Sequence, residues 1–445
     1  MLVRLQAGFE AFRDSLFFLP ALFVAAAIVL AQVMLQVDAR LSLASVPPYL
    51  RFTVDSAREL LATVAGATVT VTGVVFALTA LSVQLASSQF SPRVVRGFLR
   101  DRAIQAGIGF MAGTFTYSLV VLRAVRNTGG DGPPEVVPNL SAALALVLAI
   151  GVVVAILAYV DHTAQSLQAT QLIGKVTRGT VALVRRRFPE AGTSEAPAAV
   201  STEVGDGLGQ RLAAPRSGWV QQINEAELLR GLPPGGVVRV DVRVGSFVHQ
   251  HKRLATVWAV DPKPGQPEKR LLEGFAIGRI RTMQQDVEFG IRQLVDIALR
   301  ALSPGVNDAT TAYECMVHLG EVLYEILRRD LPPAAVAGDD GRRLMRPHEL
   351  TQADYVHQAI DQIRANCADM PDLCVGLLHV LTGVARELED LGLADRAEPL
   401  RLQGRLVRAG AEASSALSHD LARVREAAAA LCPAPADPAP PGPRH

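Results

Sequence analysis

The chain has 445 residues, of which 49% are hydrophobic and 20% charged, and its formal net charge is +1. A balance so close to neutral gives no electrostatic reason to expect nucleic acid as the main partner. The length allows more than one domain, and the positive mean hydropathy averages over two unlike halves.

Four stretches without a charged side chain open the sequence: Ser15 to Val37, Leu60 to Pro92, Ala103 to Leu122 and Val136 to Val160. Each reaches the roughly 20 apolar residues that a helix needs to cross a hydrocarbon core about 30 Å thick. Backbone amides in lipid must close their hydrogen bonds internally, so these stretches predict four transmembrane helices. The spans fall at about 15–37, 60–85, 103–122 and 138–160, inside a membrane domain over 1–163. The first is too long for the apolar core of a signal peptide and lacks a small-residue cleavage site, which predicts a retained anchor.

Basic flanks set the expected orientation. Arg4 and Arg13 precede the first span, Arg93, Arg96, Arg100 and Arg102 fill the connection after the second, and Lys175, Arg178 and Arg185 to Arg187 follow the fourth. On the other side Arg40, Arg51, Arg58, Arg123 and Arg126 are interleaved with acids. The positive-inside bias then places both termini in the cytoplasm of an inner-membrane protein.

The second span carries the candidate site. Thr68, Thr72 and Thr79 recur at helical spacing, and Ser82 continues their face. Hydroxyls in this pattern have two uses: they let helices pack closely and bond back to their own carbonyls, or they line a wet path and replace part of an ion's hydration. Below this span Arg93, Arg96 and Arg100 share one helical face. That face fits lipid headgroups, or a cationic ring around a vestibule if several copies assemble. No Asp, Glu, Lys, Arg or His sits within a span, which argues against a proton-coupled carrier.

The rest of the chain is too polar for a bilayer. A helix continuing to Phe188 and a linker rich in Pro, Gly and Ala fill 164–209. Alternation over Ala214–Asn224, Val237–Val244 and Ser246–Val260 predicts a small β module at 210–280. The order of its strands resembles the barrel-sandwich of lipoyl and biotinyl carriers, but no lysine stands between Ile223 and Gly245 to carry such a group. From Thr282 the period becomes helical, giving a helical domain at 281–431 and a Pro-rich tail at 432–445 that is expected to be disordered. The fold class is therefore a polytopic α-helical membrane protein with a cytoplasmic α+β region, a small β-barrel or sandwich-like module followed by helices.

Little here suggests catalysis. The sequence has no P-loop, no GxGxxG after a strand, no HExxH and no GxSxG. Cys315, Cys367, Cys374 and Cys432 form no CxxC and read as reduced thiols. His249 and His251 share a strand face without a third ligand, so no metal and no cofactor are expected.

Two strings, SVQLASSQFSPRVVRGFLRDR (Ser82 to Arg102) and FGIRQLVDIALRALSPGVNDATTA (Phe289 to Ala312), resemble the bacterial predicted membrane protein family called domain of unknown function 2254. The resemblance covers nearly the whole chain and implies four spans and a small β module. It marks Ser303, Pro304, Gly305, Asn307 and Asp308 as the family motif, with Ala309 where a proline is common, and it implies no activity. The loop below the second span and the SPGVND turn, as the two best-marked segments, are expected to touch. The leading functional expectation is a homo-oligomeric channel-like conduit for an inorganic ion, lined by the second span and gated by the cytoplasmic part. The alternative is a membrane-anchored scaffold or sensor whose cytoplasmic domain binds a protein or small ligand.

Overall fold

The computed structural model describes residues 18–40, 47–89, 101–125, 137–166, 168–192, 209–258, 266–346, 349–414 and 417–432. The chain divides into two compact units, Met1–Gln171 and Leu172–His445.

The first unit holds four helices long and apolar enough to cross a membrane. They are α1 (Phe18–Arg40), α2 (Val54–Gln89), α3 (Arg102–Leu122) and α4 (Asn139–Ser166). Helix α3 packs against all three others and is the most buried of the four. Small residues make that possible. A Cβ on Gly109 would stand 2.8 Å from Phe23, and one on Gly151 would stand 2.9 Å from Phe110, so each glycine receives a ring from the neighbouring helix. The buried Thr114 and Ser118 donate to the carbonyls of Phe110 and Thr114, which satisfies them without water. At one end Asp38 closes the bundle: its carboxylate accepts from the amides of Leu140 and Ser141 and from the Ser141 hydroxyl, at 2.6 to 2.9 Å. A carboxylate on the exposed amides of a helix N-terminus is favoured by the helix dipole.

The second unit begins on α5 (Ala169–Arg187), separate from α4 rather than a continuation of it. Strands β1 (Gln210–Ala213), β5 (Arg253–Trp258) and β3 (Val237–Val240) join β8 (Arg343–Met345) and β7 (Ala335–Ala337) in a five-stranded sheet, in that order. A second sheet has the order β4 (Phe247–Val248), β2 (Gly218–Ile223), β6 (Phe275–Gly278). Both sheets, with the short helices α6 (Glu225–Gly231) and α7 (Gln266–Glu273), share one core around Val220, Leu228, Val238, Leu254, Leu271 and Leu344.

The β module therefore does not end at residue 280. β8 lies within the stretch expected to be wholly helical, and it pairs parallel with β3 in the register Val238↔Leu344. Segments of three residues are too short for alternation to announce them, and Leu344 pays for its place by filling the core of a module that begins more than a hundred residues earlier.

The remaining helices are α8 (Val287–Ala301), α9 (Ala309–Leu327), α10 (Gln352–Asn366), α11 (Pro371–Asp390), α12 (Glu398–Ala413) and α13 (Ser418–Leu431). Their starts follow capping chemistry: Asp286 accepts from the Phe289 amide, Asp308 from that of Thr311, and Thr351 with Asp354 forms a capping box. Helix α8 is buried nearly all round, and α5 lies against it where Gly290 leaves room for Thr180.

Candidate functional site

Helix α2 has two stripes, each repeating at three- and four-residue steps. The first is buried and contains Ala57, Leu61, Val64, Thr68, Val75, Thr79 and Ser82. Thr68, Thr79 and Ser82, predicted to line a path, are thus turned into the bundle, with Thr72 at the edge of the same stripe. Their chemistry is that of packing: Thr72 donates to the Thr68 carbonyl and Thr79 to the Val75 carbonyl, each at 2.7 Å. The Tyr159 hydroxyl from α4 lies 2.5 Å from Thr79 Oγ1, which ties the two helices together inside the apolar bundle.

The second stripe lies half a turn away and is exposed: Thr63, Gly66, Thr70, Gly73, Ala77, Ala80 and Gln84. Gly66 and Gly73 have nothing within 4 Å of where a Cβ would stand. The outward surface of α4 is bulkier, with Val147, Ile150, Val153, Val154 and Leu157 exposed. This stripe of α2 is small and partly polar from Thr63 to Gln84, a composition suited to close helix–helix approach or to water, and it is bordered by the exposed Val69, Val74, Phe76 and Leu81. Periodicity alone pointed to the first stripe, because its hydroxyls are more numerous; the glycines of the second were the missed signal.

In the second unit, the structure reveals a charged centre with no counterpart in any motif. Glu325 on α9 is buried and accepts from Arg329 at 2.7 Å, from Arg328 at 2.8 Å and from Arg185 of α5 at 3.1 Å. Burial alone would raise its pKa, but the hydrogen bonds from Arg328, Arg185 and Arg329 outweigh it and hold the carboxyl at about 2. Arg329 also donates to the Phe188 carbonyl and to Glu190. The cluster thus fastens the end of α5, and the chain leaving it, to the helical domain. Its partners lie up to 140 residues apart, a separation that local patterns do not report.

The family-motif turn between α8 and α9 is exposed at Pro304, Gly305 and Asn307. Asn307 adopts φ +49°, and the Asp308 amide reaches back to the Ala301 carbonyl at 2.8 Å. Asp308 caps α9, and its pKa is lowered by hydrogen bonds from Thr311. The turn is a helix-reversal device, and no metal-ligating cluster of His, Cys, Asp and Glu accompanies it among the described residues. Arg93, Arg96 and Arg100 lie outside the described residues, as does the expected contact between their loop and this turn. All four cysteines are free thiols. Among the described residues no group of His, Cys, Asp and Glu could hold a metal ion.

A family model described as "Predicted membrane protein (DUF2254)" matches residues 13–383. Uncharacterized proteins from two strains of Mycobacterium tuberculosis and from Mycobacterium bovis are 34% identical to this chain over 388 residues, covering 85% of it and 72% of their own length. No solved structure matches it. With a family match over most of its length and relatives at this identity, the chain belongs to the DUF2254 family of predicted membrane proteins.

Proposed function

We propose that this protein assembles with copies of itself in the inner membrane, termini in the cytoplasm, and that the outer face of α2 lines a channel-like path for an inorganic ion. The observation that carries the reading is the small, partly polar stripe from Thr63 to Gln84 on a helix whose opposite side is already packed. A lipid-facing surface has no use for Gly66 and Gly73 there, since bulkier side chains fit the acyl chains as well and stabilise the helix more. With three helices packed around α3, the path in this reading forms between copies rather than within one chain. Thr63 and Gln84 would supply the polar contacts along it, with the Thr70 hydroxyl, whose proton goes to the Gly66 carbonyl at 2.9 Å, offering only its oxygen.

The test replaces Gly66 and Gly73 with leucine. Neither site has a neighbour to clash with, so the chain should fold and insert as before. The expected result is loss of ion flux in reconstituted liposomes. Unaltered flux in the double variant, or a monomeric mass for the unmodified chain in detergent, would remove the proposal.

A further inference from the structure

Three segments of the soluble unit, 211–219, 243–253 and 276–281, carry seven arginines or lysines and two histidines and not one carboxylate. The three-stranded sheet brings them together, because Trp219 on β2 pairs with Phe247 on β4 and with Gly278 on β6. The alternate residues Val220, Val248 and Ile277 belong to the core of the module. The other face of the sheet therefore looks outward. It presents Trp219 and Phe247 edge to face, ring centroids 5.5 Å apart, with Phe247 53% exposed.

The rim of this aromatic pair is cationic. Arg211 and Arg216 donate to the carbonyls of His251 and Ile277, which fixes the guanidiniums without neutralising them. Lys252 and Arg279 are exposed and have no ion-pair partner among the described residues. Arg253 and Arg281 do have carboxylate partners, Asp241 and Asp286, and both of those acids are buried at the side chain. Arg281 also reaches Glu288 at 3.2 Å, so the unpaired positive charge of the face rests on Arg211, Arg216, Lys252 and Arg279.

We propose that this face docks on anionic lipid headgroups of the bilayer that holds the chain, with Phe247 in the interfacial layer and Arg211, Arg216, Lys252 and Arg279 against the phosphates. An exposed apolar ring beside cations inserts at the headgroup–acyl boundary, and each cation held near an anionic leaflet adds to the attraction. A single-stranded nucleic acid also uses cations and rings, but it needs successive open platforms for its bases. Here Arg281 covers the Trp219 ring at 5.9 Å from its centroid, which leaves Phe247 as the open ring of the pair.

The chain has two tryptophans, so Trp258→Phe makes Trp219 the reporter. The full chain would be placed in nanodiscs containing brominated phosphatidylglycerol or brominated phosphatidylcholine. Quenching of Trp219 by the anionic lipid alone is expected, and it should fall when salt is raised to about 0.5 M. Lys252→Gln with Arg279→Gln should weaken the association about 25-fold, about fivefold for each cation, and Phe247→Ser should weaken it independently. Equal quenching by the two lipids, no quenching by either, or unchanged quenching in the double variant would overturn the proposal. So would recovery of Trp219 emission on adding a single-stranded oligonucleotide, which would identify the face as a nucleic-acid site.

Discussion

Replacing Glu325 by glutamine tests whether the end of α5 is held by charge. The carboxylate, only 4% exposed, receives three guanidiniums, and glutamine keeps the shape while deleting the charge that balances them. Its pKa lies at about 2 in the fold against 4.5 for an unperturbed glutamate. At 1.36 kcal/mol per unit that difference is worth about 3 kcal/mol before screening. Arg185 is 59% exposed and partly hydrated, which reduces the figure to about 2 kcal/mol. The sign follows from linkage: a carboxyl whose folded pKa is depressed gives its full contribution above 4.5 and loses it as the pH falls toward about 2. Glu325→Gln should therefore lower the unfolding midpoint at about pH 7 and lose most of that deficit near pH 3. Emission of Trp219 and Trp258 in detergent would follow the transition in both proteins. A deficit of the same size at both pH values would refute the electrostatic account and leave packing as the cause.

Further perturbations address the remaining contacts. Asp38→Ala removes the acceptor from two amides at the start of α4 and should cost about 1–2 kcal/mol, read as faster hydrogen exchange at Leu140 and Ser141; Asp38→Asn, which keeps an acceptor, should recover part of it. Gly245→Ala forces a side chain onto φ +83° and against the Asp286 carboxylate, so about 1–3 kcal/mol is expected in chemical denaturation, together with loosening of the Arg281–Asp286 pair. Thr79→Val should leave ion flux unchanged while lowering thermal stability by about 1 kcal/mol, because the hydroxyl serves Tyr159 and not the outer face.

The membrane half was legible because one property, absence of charge, decides the solvent of a segment. All four charge-free runs became helices, though α2 begins at Val54 and includes Asp55, Arg58 and Glu59. A helix carries charges readily in the headgroup layer, so the apolar run marks the lipid rather than the helix boundary. Helix caps were legible too: Asp308 stands before α9, where its short side chain reaches the Thr311 amide. Long-range pairing was not. Leu344 joins a strand whose residues lie before position 241, and Arg185 meets a glutamate on α9; nothing in the local pattern of either segment differs from a loop or a solvated helix end.

The second span shows why the candidate site was only half readable. Its two stripes sit on opposite sides of one helix, and both contain threonines, so periodicity identifies two polar faces without saying which is packed. The deciding feature is what fills the gaps between them. Leu61, Val64 and Val75 interleave with Thr68 and Thr79, and such a mixture has the relief needed to interlock with α3 and α4. Gly66, Gly73, Ala77 and Ala80 interleave with Thr63, Thr70 and Gln84 in a narrow smooth stripe between the exposed Val69 and Phe76 on one side and Val74 and Leu81 on the other. A smooth stripe is a poor partner for lipid chains and a good one for a flat surface of the same kind. If copies meet there, Gly73→Leu should abolish assembly as well as flux, while leucine on the bulky outward face of α4, for example Val147→Leu, should alter neither; equal sensitivity at both places would show that the smoothness of α2 has no role.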